Sequence, residues 1–198
     1  MTDAYEERLR ERLQPERIVG NLLRVGVALT LYELVKPRVL DQVREFFTFG
    51  FDENGPLFDE VAYEEKVRSL NPKSDFKASM EWLKSLDAIT EDDIETLGRL
   101  YEYRKAMAHE SGSFIVNPES EVQDDLIDSA RGVLEKLGRF WARIDIETDE
   151  MVDGREVADD DIQPADVLFF DHVHSIERAW QKELAELIRL ERETWNHA

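Results

Sequence analysis

Apolar residues recur at intervals of three and four along nearly the whole chain, and they almost never alternate one in, one out. The first spacing lines one face of a helix and the second one face of a strand, so the pattern calls for an all-α helical bundle. Pro15 suits a first helical turn, and Ile18, Leu22, Val25, Leu29 and Tyr32 form a stripe beyond it. Pro37 either kinks that helix or divides it, after which Val39, Val43, Phe46 and Phe47 resume the spacing. Asp52-Glu53-Asn54-Gly55-Pro56 reads as a turn. Short helices are expected over 60–70 and 74–86, the second offering Phe76, Met80, Trp82 and Leu83 for packing. Thr90 before Glu91, Asp92 and Asp93 predicts an N-cap with acids in the first turn, opening a helix that runs to about Glu110 and stops near Gly112. Asn117-Pro118-Glu119 begins the next, striped by Val122, Leu126, Val133, Leu137, Phe140 and Trp141. Pro164 opens the last, with Phe169, Val173, Ile176, Trp180, Leu184 and Leu187 on one side.

A length of 198 residues with 42% hydrophobic content suffices for one sizeable core, so the expectation is a single helical domain over 1–198. The chain has no cysteine, which excludes disulfides and thiolate metal ligands and fits a cytoplasmic protein. The first residues are charged with no apolar run behind them, which argues against a secretory signal. The most apolar stretch, 18–35, is interrupted by Asn21, Arg24 and Glu33, so a buried core helix is expected there rather than a membrane span. The net charge of −20 repels nucleic acid at long range and argues against a general coat protein, but leaves room for a local basic cleft. Part of the excess lies in 145–166, where ten carboxylates face Arg155 alone without an apolar stripe; a solvated acidic loop is expected there.

One helix carries an anomaly. At about 100° per residue, Ile94, Leu97, Leu100, Tyr101, Met107 and Ala108 share a stripe, and Arg104 falls within it. An arginine there needs partners or an interface. One reading makes it an ion-pair partner for an acid on a neighbouring helix; the other makes it a functional cation. His109, a titratable imidazole, lies near the end of the same helix, on the side of Lys105 and Glu102.

The segment Tyr101-Glu102-Tyr103-Arg104-Lys105-Ala106-Met107-Ala108-His109-Glu110 resembles the signature of the HEPN superfamily: an arginine, a polar residue, a few more residues and a histidine, often as an alanine–histidine pair. Lys105 stands where asparagine is common. The resemblance covers roughly 15–143, a HEPN-like core of helices, and leaves the acidic loop 145–166 and the additional C-terminal helix 166–195 outside it. It implies a metal-independent endoribonuclease without a cofactor, of the kind found in toxin–antitoxin, phage-defence or RNA-processing settings. It further implies a homodimer in which the motifs of two protomers meet, RNA as substrate, and a cognate antitoxin or nucleotidyltransferase as partner. Arg104 and His109 would then be catalytic, Lys105 would add positive charge, and Glu102 and Glu110 would orient His109. Some members are instead non-catalytic binding or assembly modules, the alternative for this chain.

Other features point to no site. His172 and His174 in Asp171-His172-Val173-His174 face nearly opposite sides of a helix, and Asp171 with His174 gives only two ligands, with Arg178 near enough to pair with His174. The run Phe46-Phe47-Thr48-Phe49-Gly50-Phe51 has no interleaved basic residues, so core or dimer packing is expected rather than base stacking.

Overall fold

The computed structural model describes residues 2–53, 55–117, 123–148, 158 and 161–196. Its core is built around one helix, α2 (Pro15–Val39), whose Ala28, Leu31, Val35 and Val39 are fully buried. By length and composition alone Pro15–Phe46 is long and apolar enough to cross a membrane. In the bundle α2 is instead the central helix: α5 (Asp75–Ser85), α6 (Glu91–Val116), α7 (Asp124–Thr148) and α8 (Ala165–Asn196) all pack on it. One contiguous apolar cluster joins these helices, with Leu83, Leu97, Leu100, Leu134, Leu137 and Phe170 among its fully buried members. The fold is an all-α bundle with one small two-stranded ribbon among the described residues.

The helix boundaries follow from local chemistry. Pro37 does not divide α2; the helix runs through to Val39, and the break falls at Leu40 before the short α3 (Asp41–Phe46). Asp59 caps α4 (Glu60–Lys66) and Ser74 caps α5, each side-chain oxygen accepting from a backbone N–H three residues on. The expected helix 60–70 ends early, finishing as a single 3₁₀ turn, Arg68–Leu70. The charged N-terminal segment is itself helical, α1 (Thr2–Arg12).

Two expectations need correction here. The phenylalanine-rich run is not core throughout. Only Phe47 is buried, and the segment from Thr48 forms β1 (Thr48–Asp52), which pairs antiparallel with β2 (Gly55–Phe58) around the expected turn. Phe49 and Phe51, two residues apart in the strand, lie on one face and are 70% and 80% exposed. The acidic segment is structured at both ends: Asp145 and Glu147 lie in α7, while Ile162 and Pro164 are buried. Asp166 accepts from Arg38 Nε of α2 at 2.7 Å, and the Pro164 ring rests on Gly138 of α7. Residues 149–157 and 159–160 lie outside the described residues, as do Pro118, Glu119 and Val122, where the start of α7 was expected; its first described residue is Asp124.

The last helix buries its expected apolar face only in part, with Val173 and Leu184 packed inward. Phe169, Ile176 and Leu187 are exposed, and the inward line runs Val167, Phe170, Glu177, Leu184. Two polar residues hold this face against α2. Glu177, 5% exposed, accepts from Arg24 Nε at 3.3 Å, and Gln181 donates to the Gly20 carbonyl at 3.3 Å. A buried carboxylate with an arginine partner replaces the aliphatic contact that periodicity alone would place there.

Candidate active site

The helix that carries the Arg–His motif is fixed at its start by a capping box. Thr90 Oγ1 accepts from the Asp93 backbone N–H at 3.3 Å, and the Thr90 N–H donates to Asp93 Oδ2 at 2.8 Å. The same carboxylate receives Lys136 Nζ from α7 at 2.8 Å, which ties α6 to its neighbour. Burial by itself would raise the Asp93 pKa. The hydrogen bonds from Lys136 and Thr90 outweigh it and hold the carboxyl below its ordinary value.

From this anchor, Leu97, Leu100 and Met107 enter the core, and Arg104 occupies the gap between the last two. Tyr101 and Ala108, each one step of about 100° off that line, are at its exposed margins rather than in the stripe. The Arg104 side chain is 41% exposed. Its guanidinium carbon lies 5.4 Å from the centre of the Tyr32 ring, and its Nη2 lies 3.5 Å from Glu33 Oε1; both partners belong to α2. Its Nε is buried and has no hydrogen-bond acceptor among the described residues. Tyr32 is itself part of an aromatic layer, with ring centres 6.4 Å from Phe76 and 6.2 Å from Tyr101. Burial raises the Tyr32 phenol pKa against the opposing pull of Arg104, so the ring remains a neutral, electron-rich face for the cation.

His109 is exposed and makes no hydrogen bond or ion pair among the described residues. It is the last residue before a break: Glu110 leaves helical geometry at φ −129°, ψ 32°. The helix then resumes to Val116, so Ser111-Gly112-Ser113 is helical rather than a loop, and the end expected near Gly112 is a kink two residues earlier. Tyr103 and Phe114 meet edge to face across the kink with centres 5.2 Å apart, and Arg12 of α1 donates to the Phe114 carbonyl at 3.1 Å.

The remaining motif residues are exposed. Lys105 Nζ lies 3.7 Å from Glu102, one turn earlier, and neither Glu102 nor Glu110 bonds His109. Ideal helix geometry separates Arg104 and His109 by about 7.5 Å along the axis and roughly 140° around it. Within one chain the site therefore consists of a guanidinium held in place and an accessible imidazole without an orienting partner. Such a pair can bind an anionic oxygen and accept or donate a proton.

Glu33 and Tyr32 are the site residues that motif reading missed. A signal was present, because Glu33 interrupts the apolar stretch 18–35 of one long helix and Arg104 interrupts the apolar stripe of another. No group of three or more histidine, aspartate or glutamate side chains converges on a metal-sized site among the described residues. In the last helix, Asp171 is held by Arg131 through two hydrogen bonds of 2.9 and 2.6 Å, and His174 Nε2 accepts from Arg178 Nε at 3.2 Å. Comparison with family models, curated proteins and solved structures finds no match to this chain.

Proposed function

We propose that this chain is a HEPN-type, metal-independent endoribonuclease that acts as a homodimer, with Arg104 and His109 as its catalytic residues. The observation that carries the reading is the pairing, on consecutive turns of α6, of a guanidinium held by Tyr32 and Glu33 with a solvent-accessible, unbonded imidazole. RNA supplies its own nucleophile. The 2′-hydroxyl gives its proton to an imidazole and its oxygen bonds to phosphorus. The phosphorus–5′-oxygen bond then breaks, and the leaving oxygen takes a proton from an acid. A dimer provides two His109 side chains, one to accept and one to donate. Arg104 binds the non-bridging oxygens, where charge develops in the transition state. Lys105 adds a second cation. The products are a 2′,3′-cyclic phosphate and a 5′-hydroxyl.

With a net charge of −20, RNA binding must rely on such a local group of cations rather than on the whole surface. A toxin–antitoxin, phage-defence or RNA-processing setting in the cytoplasm fits this chemistry, with an antitoxin or nucleotidyltransferase as cognate partner. The test is cleavage of single-stranded RNA in EDTA, with cyclic-phosphate ends, by the wild type and by folded His109→Ala and Arg104→Ala variants. Cleavage by the wild type and its loss in both variants supports the reading; equal cleavage, or none over a broad RNA panel, refutes it.

The Arg104–Glu33 contact favours a second reading, a non-catalytic assembly module in which Arg104 braces α6 on α2 beside a dimer surface. That reading expects a dimer by light scattering, weakened by Arg104→Glu, with no RNA cleavage.

A further inference from the structure

Tyr101 stands beside the candidate catalytic residues, and the cleavage chemistry leaves it unused. With Arg104 as origin and about 100° per residue, Ala108 falls near 40° around α6, Tyr101 near 60°, Lys105 near 100° and His109 near 140°. Tyr101 therefore lies inside the arc bounded by Arg104 and His109, about one turn before the guanidinium. Ala108, exposed and two turns beyond Tyr101, continues the same line, and its methyl fills little of the strip between guanidinium and imidazole.

The ring is fixed from below. Tyr101 stacks on Phe76 of α5, with ring centres 5.9 Å apart and planes 26° apart, and its centre lies 6.2 Å from that of Tyr32. Tyr32 in turn carries the Arg104 guanidinium at 5.4 Å, so one aromatic layer positions both Tyr101 and Arg104. Tyr101 nevertheless stays 39% exposed, and its hydroxyl makes no hydrogen bond among the described residues. An accessible aromatic ring beside cations suits single-stranded nucleic acid, whose unpaired bases stack on the ring while the cations meet phosphate. Arg104 and Lys105 are already partnered by Glu33 and Glu102, and the chain carries a net charge of −20. Charge alone is therefore a weak source of affinity at this site, whereas stacking is uncharged and unaffected by those acids.

We propose that Tyr101 is the nucleobase-stacking residue of this site: a base of single-stranded RNA lies on its ring while the adjoining phosphate meets Arg104. This rests on the reading of the Arg104–His109 site as one that takes RNA, and binding is measured apart from cleavage so that the two can fail separately. The test is fluorescence anisotropy of the full chain in EDTA at constant salt, with two labelled oligomers. One is a 2′-O-methyl oligouridylate, whose nucleophile is blocked; the other is an abasic oligomer of the same length and backbone. The wild type should bind the uridylate saturably and about tenfold or more tighter than the abasic oligomer, the scale of base stacking on an aromatic side chain. Tyr101→Leu should lose that margin on the uridylate and bind the abasic oligomer as the wild type does. Tyr101→Phe, which keeps the ring, should restore it. The comparison of the two oligomers on the wild type needs no variant, so it decides the matter even if Tyr101→Leu folds poorly. Equal wild-type affinity for the two oligomers, no saturable binding, unchanged uridylate binding in Tyr101→Leu, or an equal loss on both oligomers overturns the proposal. Cleavage of unblocked RNA by a wild type whose binding ignores Tyr101 overturns the stacking role alone. Tyr101-dependent binding without cleavage supports the stacking role and refutes the nuclease reading.

Discussion

Arg104, on the core-facing stripe of α6, meets Glu33, on the exposed side of α2, at 3.5 Å. The contact is open to water, with 41% and 54% of the two side chains exposed, and it accompanies the stacking of the guanidinium on Tyr32. Exposed ion pairs of this kind contribute about 0–1 kcal/mol. Glu33→Gln should therefore shift unfolding stability by no more than about 1 kcal/mol in urea titration. In the nuclease reading Glu33 competes with substrate phosphate for Arg104, so the same variant should retain RNA cleavage. Its loss, with the fold intact, would make Glu33 part of the chemistry.

Packing where the chain re-enters the bundle gives a sharper stability test. A Cβ on Gly138 would sit 2.6 Å from Pro164 Cγ and 2.7 Å from its Cβ, closer than ring and methyl can approach. Gly138→Ala should destabilise by about 1–3 kcal/mol through overpacking. Gly132, six residues earlier in α7, has nothing within 4 Å of such a Cβ. Gly132→Ala should instead stabilise by roughly 0.5–1 kcal/mol, the helical preference for alanine. Urea denaturation of the two variants compares the effects directly.

The buried end of the Arg24–Glu177 pair makes it more sensitive than the Arg104–Glu33 contact. Arg24→Met leaves a carboxylate that is 5% exposed without its guanidinium. The expected loss is about 1–3 kcal/mol, below the range for fully buried pairs because Arg24 itself is partly solvated. Arg24→Met combined with Glu177→Gln should recover part of it, and a double-mutant cycle in urea measures the coupling.

His174 sets a pH dependence. Its burial, followed by the nearby Arg178, lowers its pKa below the ordinary 6.5, while Glu177, Asp128 and Asp124 pull the other way. The unfolded chain therefore takes up this proton more readily than the folded one. The associated stability is present above about pH 6.5 and is lost as pH falls below it, with a slope that one proton limits to about 1.4 kcal/mol per pH unit. His174→Gln should flatten the stability profile in that window relative to wild type. An unchanged profile would show that His174 titrates alike in both states.

The long helices were legible because their apolar faces meet the core directly. Pro15 marks a helix start by its fixed φ and missing N–H, and Thr90 and Ser74 by side-chain caps, none of which requires tertiary context. The inward face of α8 was legible only in part: Val173 and Leu184 pack as the periodicity predicts, but Phe169 and Ile176 do not, and Glu177 and Gln181 face α2 because Arg24 donates to the one and the Gly20 carbonyl accepts from the other. The β1–β2 ribbon was hidden for a related reason. Its exposed phenylalanines sit on a surface that water reaches, so they mimic a buried run. At the candidate site, Arg104 and His109 could be read from the motif. The brace of Tyr32 and Glu33 required knowing that α6 crosses α2.

The central claim is that the His109 imidazole carries proton transfer during RNA cleavage. The most direct measurement is the single-turnover cleavage rate of a single-stranded RNA in EDTA, wild type against His109→Ala, with circular dichroism confirming equal helicity. The account predicts a wild-type rate that falls by about 100-fold or more in the variant, the usual scale for removing a general acid or base. Equal rates in the two proteins would contradict it.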